Sequence, residues 1–182
     1  MTQISVTEIP DVRITKSKST FDPRGTFVKV EPHTELENSL GCVAISLNPT
    51  LGTIRGLHFQ IEPYAEEKIV LCIQGAIFDV ILDIRPQSKT FGRWATFELS
   101  SDNGLQLYLP KGVAHGFQTL KPDTVIQYCL TSSYSKESAF SIDPFSDIGI
   151  NWPLGEFLIS DRDASGLPFS VAAEKYAQSL KK

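Results

Sequence analysis

The chain lacks a Cys-x-x-Cys pair, an internal repeat and a low-complexity tract. No stretch approaches the roughly 18 apolar residues that a membrane-crossing helix needs. Its three cysteines, Cys42, Cys72 and Cys129, are an odd number set in apolar stretches. Buried, reduced thiols in a cytosolic protein are the expectation. The N-terminus has no basic-then-apolar signal layout, which again predicts a cytoplasmic location. An excess of positive charge is missing too: the net charge is -4 and the pI about 5.4. Neither a nucleic acid nor an anionic membrane is therefore the expected partner. What remains is an ordinary globular balance, 41% apolar and 21% charged over 182 residues. That length predicts one domain spanning 1–182 with a real core.

The periodicity is mostly that of strands. Residues 67–73 and 76–85 are apolar runs separated by Gln74-Gly75, a turn signal. Residues 91–99 alternate, placing Trp94, Thr96 and Glu98 on one face. Further strands are expected over 105–109, 116–120 and 124–130, with turns at Ser101-Asp102-Asn103-Gly104 and Lys121-Pro122-Asp123. Short strands at such spacing predict a sandwich or jelly-roll barrel. The alanines and long side chains of 171–180 predict a C-terminal helix.

Two of the three histidines sit in informative phrases. His115 ends a Gly-x5-Pro-x-Gly-x2-His pattern that runs from Gly104. His58 follows Gly52 by five intervening residues, in a stretch closed by Gly75. These patterns resemble the two signatures of the cupins, and imply an all-β, cupin-like jelly-roll barrel with short peripheral helices. Metal-binding cupins carry a second histidine and a glutamate in the first phrase. Here Gln60 and Lys68 take those places. An ammonium is a poor ligand beside imidazoles, so no metal is expected. One histidine is then free to act as a base.

Across nearly its whole length the chain resembles the dTDP-4-dehydrorhamnose 3,5-epimerase family. The landmarks are Asp22-Pro23-Arg24-Gly25-Thr26-Phe27, Arg55-Gly56-Leu57-His58-Phe59-Gln60, Phe78-Asp79-Val80, Asp83-Ile84-Arg85, Pro110-Lys111-Gly112-Val113-Ala114-His115 and Ser160-Asp161-Arg162-Asp163. Their order and spacing make the likeness specific. The resemblance implies inversion at C3 and C5 of a 4-keto-6-deoxy sugar on a nucleotide diphosphate, without a cofactor. A C–H beside a ketone is acidic because its anion spreads onto the carbonyl oxygen. Inversion then needs a base, an acid on the opposite face, and a cation at the oxyanion.

By this resemblance His58 is the base, Asp163 its carboxylate partner, Tyr128 the acid and Lys68 the cation at the keto oxygen. Arg24 and Arg55 are implied diphosphate contacts, suited by their planar two-pronged geometry. Gln60 and Tyr134 are further substrate contacts, and His115 either supports His58 or meets the sugar. Each has a plainer reading. Lys68 would be a solvated charge, Tyr128 a core or rim tyrosine, Asp163 a loop cap, and either arginine the partner of a structural carboxylate. His33, in Glu31-Pro32-His33-Thr34, has no supporting pattern and is expected at the surface.

Two departures stand out. Lys29 occupies the place of a glutamate common in the family, reversing charge near the expected nucleotide site. Ungapped matching sets Val43 and Ile45 where the family carries two amides facing the ligand. These changes imply altered specificity, such as action at one carbon only or on another nucleotide or dideoxy sugar. A non-enzymatic sugar-nucleotide binding module is the alternative of a different class. The family also implies a homodimer whose N-terminal strands reach the partner's pocket, with Arg24 among them.

Overall fold

The computed structural model describes residues 4–29 and 41–181, with side chains from Thr7 onward. His33 lies outside the described residues. Two antiparallel sheets face one another. The first runs β1 (Ile4–Val6), β2 (Arg13–Lys16), β10 (Leu105–Leu109), β7 (Lys68–Gln74), β12 (Thr124–Leu130) and β5 (Cys42–Asn48). The second runs β13 (Ala139–Ser141), β6 (Ile54–Gln60), β11 (Val113–Thr119), β8 (Ala76–Asp83) and β9 (Trp94–Ser100). A separate hairpin joins β3 (Lys18–Asp22) to β4 (Gly25–Lys29). Helices α1 (Asp161–Ala164) and α2 (Phe169–Ser179) follow the strands. This is the jelly-roll that the sequence predicts, with boundaries moved by one to three residues at most ends.

The alternation of β8 explains the layering. Ile77 and Ile81 point between the sheets, where they pack with Val70, Leu107, Phe117 and Ile126. Val80 and Leu82 point the other way, against Leu57, Phe59 and the Ala172 and Tyr176 face of α2. A strand buried on both faces reads as a continuous apolar run, which is what 76–84 shows. Two glycines make close approaches that a side chain would block. Gly112 has φ +76°, and a Cβ there would lie 2.6 Å from the Tyr176 hydroxyl. Gly56 has φ +113°, and its Cβ would lie 2.6 Å from both Gly116 Cα and His115 O. The second approach brings β6 against β11 where both carry histidines.

Register also arranges β5 around the site. Tyr128 pairs with Ala44 and Ile126 with Ser46, so Ala44 and Ser46 share the inward face of β12. Val43, Ile45 and Leu47 have the opposite parity, and Ile45 and Leu47 are 60% and 67% exposed. Of the two positions that ungapped matching sets at the ligand, Ile45 lines the wider cavity beside His58, together with Leu47. The inward residues of β5 are small and open space beside Tyr128. Burial also holds only in part for the thiols, since Cys72 is buried, Cys129 half-buried and Cys42 exposed at the sheet edge. For Cys72, burial pushes the thiol up to about 11.

Candidate active site

His58 and His115 are directly paired across β6 and β11. On its other side His58 pairs with Ser141 of β13. His58 Nε2 lies 2.7 Å from Asp163 Oδ1 across 105 residues of sequence. Asp163 is carried by α1, whose first turn is capped by Ser160: its hydroxyl accepts from the Asp163 N–H at 3.2 Å. The buried carboxylate also accepts from the Ser141 hydroxyl at 3.0 Å and from the Gly56 N–H at 3.1 Å. Burial opposes its charge, but the His58 hydrogen bond and charge, then Gly56 and Ser141, hold it below the usual aspartate range. An ionised Asp163 can only accept, so Nε2 of His58 carries a proton and Nδ1 is the basic nitrogen.

His58, 43% exposed at its side chain, opens on two adjoining cavities. One holds about 400 Å³ and is lined by Arg55, Ala44, Ser46 and Phe117. The other holds about 210 Å³ and is lined by Gln60, Glu66, Lys68, Tyr134, Phe140 and Arg162. His58, His115 and Tyr128 border both. Five of the expected residues on β6, β7, β11 and β12, namely His58, Gln60, Lys68, His115 and Tyr128, thus converge with Arg55 and Tyr134. Desolvation first, and the Asp79 carboxylate second, push the Tyr128 phenol far above its ordinary value, against the Arg55 charge. The hydroxyl therefore stays protonated, as an acid must. Arg55 is aimed by Asn48, whose Oδ1 accepts from its Nε at 2.8 Å. This leaves the terminal guanidinium nitrogens for an anion.

Gln60 lines the smaller cavity. Its Oε1 accepts from Ser135 N–H at 2.8 Å, and its Nε2 lies 3.1 to 3.2 Å from Tyr64 O, Glu66 Oε2 and Ser133 O. The amide is engaged within the protein and braces the cavity wall. Tyr134 stands at the rim, with its hydroxyl 3.4 Å from Arg162 Nη1. Arg24 and Lys29 are not brought to His58 within this chain. They lie on the exposed β3–β4 hairpin, where Arg24 forks onto Asp22 at 2.6 to 3.2 Å. The plainer reading, a pair with a local carboxylate, describes Arg24 in the single chain.

Several site residues escaped the sequence reading. Asp79 holds His115 Nε2 at 2.7 Å deep in the barrel; it is one of two acids, with Asp83, in the otherwise apolar 76–84 run, and that is the signal that marks it. Glu66 sits two residues before Lys68. Ser141 and Gly56 have no such signal, because register alone brings them to Asp163.

A cupin metal would draw on His58, His115 and positions 60 and 68. Gln60 is an amide engaged within the protein, and Lys68 is a cation paired with Glu66 at 3.3 Å, so two imidazoles remain. That donor set does not fit a metal ion.

An aspartate-backed histidine that shares its cavities with a protonated phenol, on a jelly-roll frame, is the arrangement expected of cupin-like sugar epimerases. Residues 6–170 match the family described as dTDP-4-dehydrorhamnose 3,5-epimerase. The chain is 43% identical over 166 residues to the Sinorhizobium fredii dTDP-4-dehydrorhamnose 3,5-epimerase, covering 86% of this chain and 84% of that one. The Bacillus anthracis enzyme of that name, solved with TDP and PPi bound, superposes with a TM-score of 0.86 at 35% identity, over 92% of this chain and 99% of that one. The Legionella pneumophila dTDP-6-deoxy-D-glucose-3,5-epimerase, solved in complex with dTDP-4-keto-L-rhamnose, gives 0.89 at 33% identity, over 97% of each. The chain belongs to the dTDP-4-dehydrorhamnose 3,5-epimerase family, and so to the isomerases.

Proposed function

We propose that the protein inverts C3 and C5 of a dTDP-linked 4-keto-6-deoxy sugar, with dTDP-4-dehydro-6-deoxyglucose as substrate. The observation that carries this reading is the Asp163-backed His58 bordering the same cavities as the protonated Tyr128 and the Lys68 ammonium. Nδ1 of His58 takes the proton from the carbon beside the ketone. Lys68 donates to the oxygen as the enolate forms, and Asp163 stabilises the imidazolium. Tyr128 returns a proton on the opposite face. Arg55 holds the diphosphate in the wider cavity, Tyr134 meets the substrate at the rim of the smaller one, and His115, bound to Asp79, borders both. Incubating the protein with dTDP-4-dehydro-6-deoxyglucose in D2O should place deuterium at both C3 and C5, with the inverted sugar seen by proton NMR. Exchange at C3 alone would make it a single-site epimerase, and tight binding with no exchange would make it a binding module.

The working form that we infer is a cytoplasmic homodimer. Among the described residues no helix is long and apolar enough to cross a membrane. The support for a dimer is apolar surface exposed among the described residues: Phe21 and Phe27 on the β3–β4 hairpin are 82% and 70% exposed, and edge strand β5 carries exposed Val43, Ile45 and Leu47. In such a dimer Arg24 and Lys29 serve the partner's pocket. Mixing R24A subunits with H58N subunits should then restore roughly a quarter of wild-type turnover, since half of randomly formed dimers hold one complete site of two. No recovery after verified subunit exchange would place Arg24 in its own chain's site or outside catalysis.

A further inference from the structure

The mechanism uses Lys68 but not the carboxylate beside it. Glu66 and Lys68 are 11% and 8% exposed at their side chains, and both line the smaller cavity. Glu66 Oε1 lies 3.3 Å from Lys68 Nζ. Its other oxygen accepts from Gln60 Nε2 at 3.1 Å. Gln60 is itself fixed by the backbone of Tyr64, Ser133 and Ser135. Hydrogen bonds therefore run from two loops to Glu66, and an ion pair carries on from Glu66 to the ammonium. A buried carboxylate beside a buried ammonium is costly to desolvate, and replacing such a pair with apolar groups often stabilises a fold. A pair kept inside a reaction cavity is better explained by what it does there. A buried ammonium with no counter-charge loses its proton readily and is then useless at an oxyanion.

We propose that Glu66 is the positioning residue of Lys68: it fixes the ammonium in the cavity wall and keeps it charged for the enolate oxygen. This rests on the proton-transfer reading of the site given above. The other groups facing Lys68 are His58 from β6, His115 from β11 with Asp79 of β8 behind it, Tyr128 from β12, Tyr134, and Arg162 from α1. Asp79 is bound to His115 and Asp163 to His58, so among the described residues Glu66 is the anion in contact with the ammonium.

Wild-type, E66Q and E66D proteins distinguish the outcomes. Acetic-anhydride labelling of the ligand-free proteins across pH, read by peptide mass spectrometry, reports how readily Lys68 gives up its proton. E66Q is expected to label about tenfold faster at a fixed pH below both midpoints, equivalent to a midpoint lowered by about one pH unit. The basic limb of its kcat profile should fall with it, while KM stays within about threefold because the oxyanion charge develops after binding. E66D keeps the charge but draws it back by one methylene, and should shift in the same direction by less. If E66Q does not fold, E66D decides alone. A Lys68 labelling curve that superimposes on wild type overturns the proposal. A shifted curve in a protein whose wild type exchanges no sugar proton leaves Glu66 as the partner of Lys68 and overturns the reading of the site instead.

Discussion

H58N should lower exchange and turnover by about a thousandfold, the scale of a lost general base, while sugar-nucleotide binding changes little. Asparagine is close to histidine in reach, and its amide can still donate to Asp163. The Asp163 carboxylate thus keeps its three-donor shell, and the dyad's fold survives. What disappears is Nδ1, the nitrogen left basic because Nε2 is held at 2.7 Å by the carboxylate. His115 is the natural rival, directly across the sheet from His58. It differs in being almost wholly buried and bound to Asp79, so it has little access to a sugar carbon. Deuterium uptake by NMR and calorimetric binding of dTDP measure the two effects separately. Near-normal uptake in H58N with uptake abolished in H115N would move the base to His115.

Much of this site was legible because the family's landmarks are contiguous phrases. His58 and Gln60 share a face of one strand by its period of two, whereas Arg55 has the opposite parity and reaches the same cavity as His58 through the register shift between β6 and β11. Tyr128 and Lys68 sit on neighbouring strands, and the Pro110-Lys111-Gly112 turn starts the strand of His115. Asp163 was named by resemblance, and the fold brings it 2.7 Å from His58. What could not be read was which residues of β5 meet the cavity. Ile45 does line it, but beside Ala44 and Ser46, which the β5–β12 register turns inward and no motif marks. Gln60 has the right face but a different role, because its partners come from loops around 64 and 133–135 that no motif records. Arg24 shows a further limit. The role proposed for it lies on a second subunit, and its own chain shows only an exposed guanidinium paired with Asp22.

D163N should cost turnover on the same scale as H58N, about a thousandfold, but it should also change how stability depends on pH. The native carboxylate accepts from His58, Ser141 and Gly56. An asparagine oxygen can satisfy only part of that shell, and its NH2 faces donors. The amide also favours the wrong tautomer of His58 and provides no charge for the imidazolium. The sign of the stability effect follows from the direction of the shift. Asp163 ionises more readily in the folded protein than at the ordinary value of 3.8. Its contribution is therefore fully present above that value and is lost as pH falls through the lower folded one. Wild type should melt well above D163N near pH 6, and the gap should close as pH drops below about 4. Thermal melts of both proteins over that range test it directly. A gap that is constant with pH would show that Asp163 is not held ionised by its three donors, and would remove the electrostatic basis for His58 as a base with its proton fixed on Nε2.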